Sequence, residues 1–212
     1  KGNPLPYLLG RWEFFGLSFL VDKRVLIPRP ETEILVERTI STGNNINTPK
    51  IIDVGTGSGN IAISLAVNLP HSHIIATDLS FNALKLAKTN SELHKTNDRI
   101  QFVQSNLLQP VTKFDIICAN LPYLTTQETL SLDVGIHEPH LALDGGENGL
   151  NLINQIIKTA DAHLCKGGTL LLEFGANCDK EILNVANQHF TNAKLFVVDD
   201  LANIPRVIQI TT

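Results

Sequence analysis

From Lys50 onward, short apolar runs of strand length alternate with amphipathic stretches of helix length, and this alternation constrains the fold more than any other feature of the 212-residue chain. The expected strands are Ile51 to Val54, Ile74 to Thr77, Ile100 to Gln104, Phe114 to Ala119 and Thr169 to Phe174. The expected helices are Asn60 to Asn68, Phe81 to His94, Leu150 to Leu164 and Asp179 to His189. Strand, helix, strand in succession implies a parallel sheet with crossovers on its faces. Two last strand patterns, Lys194 to Val198 and Arg206 to Ile210, are joined only by Asp199 to Pro205, too few residues for a helical crossover, so this pair is expected to be antiparallel. The fold class is therefore α/β: a doubly wound, Rossmann-like, mostly parallel sheet that closes on a reversed carboxyl-terminal hairpin.

The first fifty residues read differently. Glu13 to Phe19 and Val25 to Ile27 are apolar runs separated by Asp22-Lys23-Arg24, which predicts a hairpin with a polar connection. Pro28-Arg29-Pro30-Glu31-Thr32-Glu33 then opens a helix, with Pro30 suited to the first turn and the two glutamates to the positive dipole end. It should end near Ser41-Thr42-Gly43, before a loop at Asn44 to Pro49. The expected division is residues 1–48 as hairpin and linking helix, and residues 49–212 as the ligand-binding domain.

With 43% hydrophobic and 18% charged residues the chain can fill one core. A net charge of -4 disfavours a surface whose affinity comes from neutralising phosphates, so direct nucleic-acid binding is not expected. No run of about 18 apolar residues and no signal-peptide pattern occurs, which predicts a cytoplasmic protein with no membrane contact. Cys118, Cys165 and Cys178 lack Cys-x-x-Cys spacing, and Pro139 breaks the helix that His137-Glu138-Pro139-His140 would need, so neither a disulfide framework nor a metal site is expected. The numbered sequence contains no methionine, from which a segment preceding Lys1 is expected.

Ile51-Ile52-Asp53-Val54-Gly55-Thr56-Gly57-Ser58-Gly59-Asn60 runs from a strand through a glycine turn into a helix. Such a turn lets backbone approach a ligand and aims free N–H groups at it. A dinucleotide enzyme uses it for pyrophosphate; a methyltransferase uses a similar one for S-adenosylmethionine. Gly-x-Gly-x-Gly departs from the dinucleotide spacing, and Asp53 would repel a pyrophosphate while suiting an ammonium or sulfonium nearby. Asp78 ends the next strand, where a carboxylate can accept both ribose hydroxyls; Ser80 is the better helix cap. Asn106 and Leu107 follow the third strand, where they can meet an adenine amino group and ring, or simply form a turn.

Asn120-Leu121-Pro122-Tyr123 follows the fourth strand at the same edge. A planar amide nitrogen is a weak nucleophile, and a site that methylates it must hold both of its hydrogens. The Asn120 side-chain oxygen and the Leu121 carbonyl can serve as acceptors, with Tyr123 packed on the planar group to exclude water. No strong base is needed, because the proton becomes acidic as the nitrogen gains positive charge.

Together with these motifs, Pro6-Tyr7-Leu8-Leu9-Gly10, Glu13-Phe14-Phe15-Gly16-Leu17, Leu26-Ile27-Pro28-Arg29-Pro30-Glu31-Thr32-Glu33, Glu138-Pro139-His140-Leu141-Ala142-Leu143-Asp144-Gly145-Gly146-Glu147-Asn148-Gly149-Leu150 and Asp200-Leu201-Ala202-Asn203-Ile204-Pro205-Arg206 make the chain resemble the HemK/PrmC family. These protein-glutamine methyltransferases modify the Gly-Gly-Gln glutamine of peptide chain release factors. The resemblance implies a class I methyltransferase fold, S-adenosyl-L-methionine as cofactor with S-adenosyl-L-homocysteine as product, and release factors as protein partners. It also implies cofactor contacts at Gly55 to Gly59, Asp78, Leu107 and Asn120, and substrate contacts at Asn120 to Tyr123. A small helical amino-terminal domain of the family has no counterpart in these residues. Leu121 stands where the family tetrapeptide usually has proline. Related enzymes with this tetrapeptide methylate a ribosomal-protein glutamine, or adenine and guanine amino groups, and these are the alternatives.

Overall fold

The computed structural model describes residues 2–108, 113–132, 135 and 137–212. The chain opens with a short helix α1 (Leu5–Leu9) and an antiparallel pair, β1 (Arg11–Phe14) and β2 (Leu17–Leu20). The hairpin is present, but its turn lies at Phe15-Gly16 and not at Asp22-Lys23-Arg24. Phe15 and Gly16 take φ of 52° and 69°, the left-handed pair that matches strand twist in a tight turn. Val25 to Ile27 is not a strand: Val25 and Ile27 are buried in extended loop, behind a turn that the Asp22–Arg24 ion pair closes at 2.6 Å.

There follow α2 (Thr32–Gly43), β3 (Lys50–Val54), α3 (Asn60–Asn68), β4 (His73–Asp78), α4 (Phe81–Leu93), β5 (Ile100–Gln104) and β6 (Phe114–Asn120). Then come α5 (Thr126–Ser131), a single 3-10 turn at His140–Ala142, α6 (Asn151–His163), β7 (Leu164–Glu173), α7 (Asp179–His189), β8 (Lys194–Asp199) and β9 (Pro205–Thr211). Strands β3 to β9 form one sheet in the order β5-β4-β3-β6-β7-β9-β8. β9 runs antiparallel to both β7 and β8, and the other pairs are parallel, as the short β8–β9 connection required. β7 starts five residues earlier than its apolar run suggests, through Cys165 and Lys166, and α5 and the 3-10 turn were not expected.

Alternation along the strands feeds two cores. Ile51, Ile116 and Leu171 face one side, where α2, α3 and α4 supply Leu35, Val36, Ile63, Leu65 and Leu86. Ile52, Ile117 and Leu172 face the other, against Ile153, Ile156 and Ile157 of α6 and Ile182 of α7. Phe14 and Phe19 of the hairpin join the first core, and Asn90 of α4 clasps the hairpin by accepting from the Leu20 N–H at 2.8 Å and donating to its carbonyl at 3.0 Å.

The strand order reverses beside β3, the point where a crevice opens at the carboxyl edge of such a sheet. Register fixes what lines that edge. Val54 pairs with Thr77 on one side and Ala119 on the other, and Asn120 pairs with Glu173. The glycine turn, Asp78, Asn120 and Glu173 therefore stand in a row.

Candidate active site

A cavity of about 220 Å³ occupies this crevice. Its floor is the turn after β3. The Gly55 and Thr56 N–H groups donate to the Thr77 carbonyl at 2.9 and 2.8 Å, and the Gly59 N–H to Thr56 at 2.8 Å, which folds the turn back on itself. Gly59 has φ of 82°, and a Cβ there would lie 3.1 Å from Ala87 of α4. Gly59 therefore serves helix packing and does not line the cavity, whereas Gly55, Thr56, Gly57 and Ser58 do.

Asp78 lines the cavity too. Its carboxylate accepts the Gly57 N–H at 2.9 Å and the Ser80 N–H at 2.8 Å, so it braces the glycine turn. Burial raises its pKa, and the N–H groups of Ser80, Gly57 and Leu79 work against that rise. Ser80, not Asp78, caps α4, its hydroxyl accepting from the Ala83 N–H at 3.2 Å. That leaves the carboxylate available to a diol.

Asp53 is placed differently from the sequence expectation. It is fully buried beneath the turn, where it accepts from the Thr56 hydroxyl at 2.6 Å and the Ala62 N–H at 3.2 Å, and it does not line the cavity. Burial pushes its pKa up to about 7 against those two hydrogen bonds. Its visible task is to hold the turn onto the start of α3.

Asn106 and Leu107 lie in the wall beside Asp78. Leu107 has φ of 56°, a left-handed conformation that costs a branched side chain about 1 kcal/mol and that concentrates at functional positions. Leu79, Ala83 and Leu141 add apolar surface to the cavity lining.

Asn120, Leu121 and Pro122 form the opposite wall. The Asn120 Nδ2 donates to the Thr32 hydroxyl at 2.9 Å, which turns Oδ1 into the remaining acceptor. Leu121 is buried, its Cδ2 3.2 Å from the place a Cβ on Gly55 would take, so its side chain anchors the loop in the core where a proline ring would have fixed φ. Behind the loop, the Leu124 N–H donates to Leu143 at 3.0 Å and the Gly145 N–H to Leu124 at 2.8 Å. A Cβ at Gly145 would come within 2.6 Å of the Pro122 carbonyl, and one at Gly149 within 2.3 Å of the Tyr123 carbonyl, so only glycine lets that segment press against the tetrapeptide.

Tyr123 does not line the cavity. Its ring packs over Gly175, 3.1 Å from the position a Cβ would take there, and its hydroxyl points to Glu173 Oε1 at 3.5 Å. Burial, followed by the charge of Glu173, pushes the Tyr123 phenol up to about 12.

The sequence reading missed four contributors. Glu138 is buried and accepts the Ile27 N–H at 2.8 Å and the Arg29 guanidinium at 2.5 Å, which ties the segment before α2 to the 3-10 turn and completes the outer wall with Pro28, Pro139 and Leu141. Thr32 orients Asn120, and Glu173 lies beneath it. Thr32, Arg29 and Glu138 sat inside segments that carried the family resemblance, but nothing in their spacing named a partner.

The family model named Methyltransferase small domain matches residues 30–136. A release factor glutamine methyltransferase of Lactococcus lactis is 38% identical over 99% of this chain, which spans 78% of that protein. A bifunctional methyltransferase of Rickettsia typhi is 36% identical over 99% of this chain, which spans only 44% of that longer protein. The crystal structure of a methyltransferase from Pyrococcus furiosus superposes with a TM-score of 0.68 over 93% of this chain and 89% of that one, at 18% identity, a likeness of fold.

Proposed function

The chain belongs to the release factor glutamine methyltransferase family, and on that premise we propose that it transfers a methyl group from S-adenosyl-L-methionine to the side-chain amide of the Gly-Gly-Gln glutamine in peptide chain release factors. The observation that carries this reading is Asn120: its Nδ2 is held by Thr32, so its Oδ1 is free to accept a hydrogen from a substrate amide.

The residues present fit the cofactor. Asp78 offers a carboxylate to the ribose hydroxyls, the apolar surface at Leu107, Leu79 and Leu141 takes the adenine beside Asn106, and the open face at Gly55, Thr56, Gly57 and Ser58 receives the amino-acid portion. Gly59 contributes by keeping the turn tight. When bound, S-adenosyl-L-methionine supplies an electrophilic methyl. The chain's part is to present the nucleophile. Asn120 Oδ1 and the Leu121 carbonyl each accept one hydrogen of the glutamine amide, which fixes its plane and orients the nitrogen lone pair as it pyramidalises. With S-adenosyl-L-methionine bound, its sulfur would keep the electron pair as the amide nitrogen takes the methyl, and the amide proton, made acidic by the charge on nitrogen, would pass to water. Pro122 stiffens the loop, and Tyr123 braces it from behind. The segment before residue 49 supplies Arg24, Val25, Leu26, Pro28, Arg29 and Thr32 to the cavity, and the remaining lining comes from beyond it.

No helix among the described residues is long and apolar enough to cross a membrane, and no cluster of three or more metal-ligating side chains occurs among them. The proposed setting is the cytoplasm, where release factors act.

Labelled S-adenosyl-L-methionine and a release factor test the reading. Label should enter the factor with the wild-type chain, and Asn120→Ala should lower turnover by roughly two to three orders of magnitude while S-adenosyl-L-homocysteine still binds, because the lost acceptor matters most in the transition state. Undiminished turnover in that variant would refute the assigned role.

A further inference from the structure

Glu173 is buried to 1% exposure at the end of β7, directly across from Asn120 in the parallel β6–β7 pair. Both side chains project toward the face covered by α2, whose first residue is Thr32. Thr32 Oγ1 accepts from Asn120 Nδ2 at 2.9 Å. No well-aligned hydrogen bond donated by its own hydroxyl is formed among the described residues, although Thr32 lies near enough to the Glu173 carboxylate to favour its ionised form. Glu173 Oε1 receives the Tyr123 hydroxyl at 3.5 Å, while Glu173 Oε2 is buried with no partner at all. A hydroxyl proton without a well-aligned acceptor and a carboxylate oxygen without a partner thus stand side by side, directly behind the amide that faces the cavity. A buried polar atom left in this way costs about 1–3 kcal/mol, so its retention calls for a reason.

We propose that Glu173 is a positioning residue for methyl transfer: its carboxylate takes the Thr32 hydroxyl proton, so that Thr32 can only accept from Asn120 Nδ2 and Asn120 Oδ1 is locked toward the substrate amide. The inference rests on the glutamine-methylating reading of the site.

The logic is that of a hydroxyl with one proton. While that proton is committed to Glu173, the side of Thr32 facing Asn120 is a lone pair, and only the NH2 end of the Asn120 amide can approach it. If Glu173 carries a proton, it can donate to Thr32 instead. The Thr32 proton is then free to swing to Asn120, and the amide can flip so that NH2 faces the cavity. A substrate amide would there meet donor against donor, and the clamp would be lost.

Burial raises Glu173 to about 7, aided by the charge of Glu31, while the Thr32 hydroxyl, Arg206 on β9 and the Tyr123 hydroxyl favour its ionised form. These groups face it from the turn before α2, from α2, from β9 and from the loop after β6. The amino-terminal end of α2 also favours the anion. The switch from flipped to locked amide should therefore fall close to neutrality, and turnover should rise with pH through it.

The test combines kinetics with a readout that needs no substrate. In wild-type enzyme, kcat for release factor methylation should rise between pH 6 and 8 with an apparent pKa near 7. Glu173→Gln should lower kcat about tenfold or more and abolish that rise, with S-adenosyl-L-homocysteine affinity kept within about twofold. Thr32→Val should do the same, and Thr32→Ser, which restores the hydroxyl, should recover both kcat and the rise. In parallel, the 15N-resolved side-chain NH2 signals of Asn120 in the S-adenosyl-L-homocysteine complex should titrate across this range in wild type and not in Glu173→Gln.

Wild-type kcat and an unchanged pH profile in Glu173→Gln would overturn the proposal. If that variant fails to fold, the same result in Thr32→Val overturns it, and so does an Asn120 amide whose signals do not move with pH in the wild type. A wild-type enzyme that leaves release factor unmodified refutes the functional reading instead, and the Asn120 titration still decides the relay.

Discussion

Two glycines in one turn should fail in opposite ways when each is replaced by alanine. Gly57 and Gly59 both have positive φ, 56° and 82°, so either alanine pays a left-handed backbone cost of about 1–2 kcal/mol. Their surroundings differ. A Cβ on Gly59 would meet Ile63 Cδ1 at 3.0 Å and Ala87 Cβ at 3.1 Å and Cα at 3.3 Å, so α4 itself must yield. That adds overpacking of about 1–3 kcal/mol, and the sum lowers Tm by roughly 4–20 °C for a domain of this size. A Cβ on Gly57 meets nothing within 4 Å, and Gly57 lines the cavity. Gly57→Ala should therefore lower Tm by only about 2–8 °C, the backbone cost alone. Its methyl instead enters the space assigned to the cofactor, which should weaken S-adenosyl-L-homocysteine binding roughly 10- to 100-fold, while folded Gly59→Ala stays within about fivefold of wild type. Differential scanning calorimetry and titration calorimetry read the two effects separately. Wild-type affinity in Gly57→Ala would refute the assignment of that face to the cofactor, and equal loss of Tm in the two variants would refute the packing argument.

Asp78→Ala removes the carboxylate proposed to accept from the ribose and that accepts the Gly57 N–H, and should weaken S-adenosyl-L-homocysteine binding by about 3 kcal/mol, or roughly 100-fold; a loss under threefold in titration calorimetry would contradict the ribose role. Glu138→Ala leaves the Ile27 N–H and Arg29 without their buried acceptor, and should cost about 3 kcal/mol and lower Tm by roughly 6–12 °C; a fall under about 2 °C would show that the outer wall holds without it. Asp53 is raised by burial to about 7, so the folded state binds its proton more tightly than the unfolded chain does. The stability this gives is complete below the unfolded carboxylate pKa of about 4 and is lost as pH rises through about 7. The unfolding free energy of Asp53→Asn minus that of wild type should thus rise, by a few kcal/mol at most, as urea unfolding is moved from pH 5 to pH 8, and a signed difference that stays constant or falls would refute the shift.

Most of the sheet could be read from the chain because its strands are buried on both faces and its crossover helices are amphipathic, so period and length speak together at Ile51 to Val54 or Asp179 to His189. The hairpin turn could not, since the apolar run Glu13 to Phe19 continues straight through Phe15, a residue whose left-handed φ no propensity announces. α5 was missed because it has little apolar periodicity, although its Thr125–Glu128 capping box is a legible signal. Of the candidate site residues, those set by local sequence at Gly55 to Ser58, Asp78 and Asn120 to Pro122 line the cavity. What escaped depends on distant pairing. Thr32 meets Asn120 across 88 residues and Glu138 meets Ile27 across 111, and only the folded sheet brings them together. Asp53 was assigned to the ligand from its nearness in sequence, whereas the pleat turns it into the core beneath the turn. Tyr123 likewise follows three cavity-lining residues yet turns back onto Gly175.

The central claim is the identity of the methylated atom. A release factor should be incubated with this chain and S-adenosyl-L-methionine, digested, and the Gly-Gly-Gln peptide sequenced by tandem mass spectrometry. The account predicts one added methyl on the side-chain nitrogen of that glutamine, and none when the glutamine is replaced by alanine. An unmodified glutamine, with methyl transfer instead to a ribosomal protein or to nucleic acid, would contradict it.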